Sequence, residues 1–198
     1  MTNQNHKKKV LIIQGNPDRS SFCDALAAAY KKGAFDAKAE VKEIHISEIE
    51  FNPNLPFGYK NKIELEPGLI ESQELIQWAN HLVFVYPTWW GTMPALLKGF
   101  IDKVFQPGFG FQYRNGSVWW DKLLKGRSAR LIVTMDTPPW YFRWVYGRPG
   151  HNAMKKTILG FCGIKPVKIS SIGPVKHSKE SKRETWLNNV QKLGEKLA

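Results

Sequence analysis

One stretch, Val83 to Phe105, constrains the fold more than any other. Leu82 to Tyr86 is a continuous apolar run, short enough for a strand buried on both faces. Pro87 ends that strand, because it has no N–H to give a ladder. Thr88, Trp89, Trp90, Gly91 and Thr92 follow, a loop with two large aromatics beside a glycine. Pro94 suits a helix's first turn, and Ala95, Leu96, Leu97, Phe100, Ile101 and Val104 form an apolar stripe at helical spacing. The order is buried strand, aromatic loop, helix. In an open parallel sheet, ligands bind on loops at the carboxyl ends of strands. A tandem tryptophan there either lies along a flat aromatic ligand or plugs the top of the sheet.

The same alternation runs through the chain. Lys9 to Gln14 reads as a first strand, and Gly15, Asn16, Pro17, Asp18 and Arg19 as a turn. Ser20 or Ser21 then caps a helix carrying Leu26, Ala29 and Tyr30. A strand, a small polar loop and a helix N-terminus make a natural phosphate site, although capping alone also accounts for the serines. Neither GxxxxGK[ST] nor GxGxxG is present. Glu40 to Ile46 alternates as an outer strand does, with His45 facing away from the core and given no role. Ser47 to Pro67 is a Pro-, Asn- and Gly-rich loop, long enough to suggest function.

A helix from about Gly68 to Asn80 feeds the central strand. Past the signature helix, Asn115-Gly116 reads as a tight hairpin turn. Its aromatic flanks (Phe109, Phe111, Tyr113, Trp119, Trp120) suit a pocket wall, a dimer patch or both. Ala129 to Met135 is a fourth strand, Asp136 to His151 a loop, and Asn152 to Phe161 a helix ending near Gly163. Val167 to Gly173 is a fifth strand, and Ser178 to Leu197 a polar final helix. This predicts a single α/β domain over residues 1–198, with a parallel five-stranded sheet and helices on both faces.

Composition narrows the function. At 198 residues, 42% hydrophobic and 23% charged, the chain suits one globular core. No apolar run approaches the ~20 residues of a membrane helix. The early run Val10 to Ile13 is too short for a signal peptide, which needs roughly 7–15 apolar residues, so a cytoplasmic protein is expected. Cys23 and Cys162 have no metal spacing and no CxxC, which favours free thiols and no metal site. The net charge of +12 invites a nucleic-acid reading. Yet the basic residues are spread out, apart from His6 to Lys9 and Lys176 to Arg183, and no nucleic-acid-binding motif accompanies them. A solvated basic surface that attracts anionic cofactors is the reading kept, with membrane association at most peripheral.

The segment from Pro87 onward carries P-x-x-W-x-x-x-P-A-x-L-K-G at Pro87, Trp90, Pro94, Ala95, Leu97, Lys98 and Gly99. It resembles the signature of the NAD(P)H:quinone oxidoreductase family, which includes DT-diaphorase and the modulator-of-drug-activity-B type reductases. The resemblance implies a flavodoxin-like three-layer sandwich with strand order 2-1-3-4-5. It also implies one flavin, FMN or FAD, per subunit, with Trp89 and Trp90 along its ring and Gly91 and Thr92 N–H groups at its polar edge.

The family's phosphate loop has a histidine after the strand and a Ser-Phe-Asn triplet opening the helix. Ser21 and Phe22 match the triplet, with Ser20 beside them; Asn16 stands at the histidine position and Cys23 at the asparagine. After the fourth strand the family has Thr-Gly-Gly, whose backbone holds the pyrimidine edge. Thr134 matches, but Asp136, Thr137, Pro138 and Pro139 replace the glycines, leaving N–H groups of Asp136, Thr137 or Trp140. A Tyr and a His help the ring accept charge in mammalian relatives, and Tyr141, Tyr146 and His151 are the candidates here. Arg143, Arg148 and His151 are also placed to meet a nicotinamide phosphate or an adenine.

The implied activity is flavin-dependent NAD(P)H oxidation with two-electron reduction of a quinone, in a homodimer whose Ser47–Pro67 loop lies near the substrate pocket. The alternative is a flavin-binding electron carrier or a regulatory subunit of a membrane transporter. Flavodoxins proper are usually acidic, so the charge argues against a plain carrier.

Overall fold

The computed structural model describes residues 7–61 and 64–197; the His6 end of the basic cluster lies outside them. The apolar runs form β1 (Lys9–Gln14), β2 (Glu40–His45), β3 (His81–Pro87), β6 (Ser128–Thr134) and β7 (Val167–Ile172). They pair in parallel in the order β2-β1-β3-β6-β7. That is the expected 2-1-3-4-5 order once β4 (Phe111–Tyr113) and β5 (Trp120–Lys122) are set aside as a separate antiparallel hairpin. The order reverses between β1 and β3, so a crevice opens at their carboxyl ends.

Strand alternation feeds two cores. Leu11, Ile13, Phe84, Tyr86, Leu131 and Val133 face α2 (Pro67–Trp78) and α3 (Ala95–Val104). Val10, Ile12, Val83, Val85 and Ile132 face α1 (Phe22–Asp36) and the C-terminal helix Glu180–Glu195. Each buried aliphatic side chain contributes about 1.5–3 kcal/mol. The first and last helices cross in close contact. A Cβ on Gly33 would lie 2.0 Å from the Gln191 carbonyl oxygen, and one on Gly194 would lie 2.2 Å from that of Tyr30.

The hairpin turns on Asn115-Gly116 as expected, with Gly116 at φ +67° and Ser117 N–H donating to Arg114 O at 3.2 Å. Trp120 stacks on Phe161 at 4.2 Å, while Val118 and Trp119 stay exposed. Elsewhere the boundaries shift. Pro94 sits one residue before α3, in extended conformation, and not within its first turn. Part of the expected 136–151 loop is a short helix, α4 (Pro139–Trp144). A proline at the first helical position loses no hydrogen bond, so the Pro138-Pro139 pair starts a helix here.

The next helix, α5, begins at Pro149 and runs through residues 149–162, π-helical over Ala153–Leu159. The last helix, α6, is the Glu180–Glu195 segment, a little shorter than expected. Both cysteines are free and buried. Among the described residues, no helix is long and apolar enough to cross a membrane.

Candidate functional site

Three loops leave adjoining strands on the same sheet edge, and hydrogen bonds join them. Gly15 N–H donates to Val85 O at 2.9 Å, and Thr88 N–H to Thr134 O at 2.7 Å. The Cys23 thiol lies 3.2 Å from Thr134 Oγ1 and also bonds the Asn16 side chain. Asn16, Cys23 and Thr134, read separately in the sequence, therefore meet. Burial pushes the Cys23 thiol up to about 11, so it is neutral near pH 7.

The first loop is a ladder of short-range bonds. Asp18 N–H donates to Asn16 Oδ1 at 3.1 Å, and Asp18 Oδ1 accepts from both the N–H (2.8 Å) and hydroxyl (2.7 Å) of Ser20. These bonds hold the Asp18 carboxyl below the usual range. Serine capping is not what the structure has. Ser21 occupies the cap position of α1 with no side-chain cap bond, and its buried Oγ has no hydrogen-bond partner among the described residues. Such a hydroxyl, at the N-terminus of a 15-residue helix, fits an anion oxygen. Phe22 turns to pack on Trp186 of α6, ring centres 6.0 Å apart.

The second loop is a tight turn. Trp89 and Thr92 exchange both N–H···O bonds at 3.0 Å, and the residues between, Trp90 and Gly91, have φ of +49° and +76°. Two left-handed central residues are the pattern of a type I′ turn, where a tryptophan is costly. Trp90 is fully exposed at 101% and Trp89 at 47%. The pair does not plug the sheet; it stands out at the mouth of the crevice. The Thr92 hydroxyl accepts from Met93 N–H.

In the third loop, Met135 N–H donates to Ile172 O at 2.9 Å, and Asp136 Oδ1 accepts from Lys176 N–H at 2.8 Å. Thr137 is half-buried beside α4. Tyr141 and Tyr146 meet edge to face at 5.1 Å. His151 is only 3% exposed, packs on Phe142 at 5.0 Å, and leaves Nε2 without a hydrogen bond. Burial, aided by Arg148, pushes its imidazole down to about 4, so it is neutral near pH 7.

Sequence reasoning missed Gly150. Its N–H donates to Gly91 O at 3.0 Å, and a Cβ there would lie 2.8 Å from both that oxygen and Thr92 Cα. The Pro149-Gly150 dipeptide was the only signal of this seam, which docks the third loop on the tryptophan turn. A larger cavity, about 970 Å³, lies away from the three loops, against Trp120, Phe161 and the start of β7.

The family model described as "Flavodoxin-like fold" matches residues 8–197. The ribosyldihydronicotinamide dehydrogenase [quinone] of Mus musculus is 30% identical over 191 residues, covering 80% of this chain and 78% of that protein. The ribosyldihydronicotinamide dehydrogenase-like protein traD of Penicillium crustosum is 28% identical over 155 residues, covering 64% of this chain and only 57% of the relative's length. Among solved structures, Smu.1420 from Streptococcus mutans UA159 superposes with a TM-score of 0.82 at 30% identity, covering 95% of this chain and 99% of that one. The signature turn, the sheet order and these likenesses agree: the chain belongs to the flavodoxin-like family of NAD(P)H:quinone oxidoreductases, a family of oxidoreductase enzymes.

Proposed function

We propose that the protein is a flavin-dependent NAD(P)H oxidoreductase that reduces quinones or similar electrophilic acceptors by two electrons. The observation that carries this reading is the unpartnered, buried Ser21 hydroxyl at the start of α1, a helix whose first turn is joined through Cys23 and Thr134 to Thr88, beside the exposed tryptophan turn. Among the described residues, that combination offers an anion grip and an aromatic surface on one sheet edge.

The residues present fit a flavin nucleotide, FMN or FAD. Ser20, Ser21 and the first N–H groups of α1, from Phe22 and Cys23, would hold its phosphate. Pro87, Thr88, Trp89, Trp90, Gly91 and Thr92 would flank its ring, and Thr134, Asp136 and Thr137 its polar edge. A flavin held there would supply the hydride- and electron-transfer chemistry between NAD(P)H and the acceptor.

The chain's own part is positioning. The left-handed turn holds Trp89 and Trp90 out from the sheet before any ligand arrives. The neutral Cys23 thiol and Thr134 hydroxyl brace loop one against loop three without adding charge beneath an anion. Tyr141, Tyr146 and His151 are the proposed groups of the third loop that touch nicotinamide nucleotide or acceptor. The exposed hydrophobic side chains Val118 and Trp119 of the hairpin support a homodimer, and the two free thiols a reducing, cytoplasmic compartment.

The test is direct. The protein as purified should show flavin absorbance, release FMN or FAD of identifiable mass on denaturation, and oxidise NAD(P)H with menadione as acceptor. Absence of flavin, with none taken up from added FMN or FAD, would sink the reading. Bound flavin without menadione turnover would favour the carrier or regulatory role instead.

A further inference from the structure

A cavity of about 390 Å³ lies between α4, the turn before α5 and the edge strand β7. Its wall includes Phe142, Arg143, Trp144, Arg148, His151 and Ser171, and among the described residues no carboxylate lines it. Three independent features point to an anionic occupant. His151, only 3% exposed, is one of the residues that line the cavity, and its Nε2 has no hydrogen-bond partner among the described residues. A buried polar atom left unpaired costs free energy that a ligand atom would recover.

Arg148 has φ +55° and ψ 52°, left-handed for a non-glycine, directly after Gly147 at φ +67°. Three bonds hold that turn: Arg148 N–H to Phe142 O (3.1 Å), Asn152 N–H to Arg148 O (3.0 Å) and Asn152 Nδ2 to Gly147 O (2.8 Å). Backbone strain kept in place this way is characteristic of ligand clamps. The Arg143 guanidinium lies over the Trp144 ring at 4.8 Å, which steadies a second cation at the rim.

We propose that this cavity is the subsite for the adenosine 2′-phosphate of NADPH and that it makes the protein prefer NADPH to NADH. The inference rests on the oxidoreductase reading above. A flavin phosphate already has its own loop at Ser20 and Ser21. The Gly150–Gly91 bond places the Arg148 turn against the tryptophan loop, so one dinucleotide has the ring site and the anion subsite on contiguous surfaces. NADH differs from NADPH only by that phosphate, so a subsite built for a phosphomonoester separates the two. Guanidinium groups suit it because their forked donors match phosphate oxygens.

The experiment begins with calorimetric titration of the purified protein with 2′-AMP and with 5′-AMP. Tighter binding of 2′-AMP is expected. Arg148→Asn removes the cation while asparagine accepts left-handed backbone, and it should weaken 2′-AMP about tenfold, the size of one lost charge-assisted hydrogen bond. Arg143→Gln serves as a second variant. In the flavin-loaded protein the ratio of kcat/KM for NADPH over NADH should fall in Arg148→Asn through a raised NADPH KM, with NADH values and the melting temperature unchanged. Equal binding of the two nucleotides, or an equal loss for NADPH and NADH, would overturn the subsite. A flavoprotein with no NADPH preference sinks this inference and leaves the oxidoreductase reading. Selective 2′-AMP binding by a protein that takes up no flavin sinks that reading and leaves the subsite.

Discussion

Cys23 Sγ stands 3.2 Å from Thr134 Oγ1, so the first turn of α1 is hydrogen-bonded to the carboxyl end of β6. In sequence one departs from the family pattern and the other matches it. Their contact makes them one structural unit with Asn16. Thr134→Val keeps the shape and removes the bond. It should cost about 1 kcal/mol and lower the melting temperature by about 2–4 °C for a chain of this size. Flavin retention should weaken in parallel. Thermal unfolding of the variant at wild-type temperature would show that the contact contributes nothing.

The same burial makes both thiols inert. The Cys23 thiol is pushed up to about 11 and Cys162 to about 12, in each case chiefly by desolvation. Only thiolate reacts with a disulfide reagent. Ellman's reagent at pH 8 should therefore label neither cysteine in the native protein and both after denaturation. Rapid labelling of native Cys23 would contradict the placement of its side chain.

Ser21→Ala distinguishes a cap from an anion ligand by sign. A capping serine replaced by alanine loses about 1 kcal/mol. Here the hydroxyl makes no bond, so the ligand-free variant should be as stable as wild type or more so. The cost should surface in flavin affinity, about tenfold for one hydrogen bond to a charged group. A destabilised ligand-free variant with unchanged flavin affinity would return Ser21 to a structural role.

Acid should destabilise the fold through two histidines. His81 is pushed down to about 3, mainly by burial and then by Lys8, Arg130 and Lys168; His151 is pushed down to about 4. In the unfolded chain each takes up its proton near pH 6.5. The unfolded state therefore binds more protons in between, and their contribution is complete above pH 6.5. It is lost as pH falls through 4 for His151 and on towards 3 for His81. Urea midpoints measured from pH 7 to pH 4 should fall, and His81→Gln should flatten the slope. A slope unchanged in that variant would mean His81 does not carry the effect.

Much of the fold was legible because strands buried on both faces have few alternatives. The apolar runs at 10–13, 82–86 and 131–133 can hide only inside a sheet, and their spacing forces crossovers. The hairpin was legible from Asn115-Gly116 because few residues tolerate that turn. The α4 helix was not. Two prolines in succession read as a break, and only the location of the missing N–H groups at a helix start reconciles them with helix. The roles of Ser20 and Ser21 were equally hidden, since a side chain's choice between Asp18 and the helix N–H groups depends on the turn's three-dimensional path. The Gly150 seam joins residues about sixty positions apart, a distance over which local pattern carries no information.

The close approach of Gly33 to Gln191 and of Gly194 to Tyr30 reaches beyond packing. Two bare backbones touch there, so α6 has one permitted rotational setting against α1. Inserting or deleting a single residue early in α6 would swing a side chain into that crossing, about 100° around the axis. Because α1 begins at the Ser21 loop, the disturbance would propagate along a rigid rod to that loop. The tail of the chain thus acts as an alignment gauge for its beginning, and length changes should be tolerated after Glu195 far better than before Gly194.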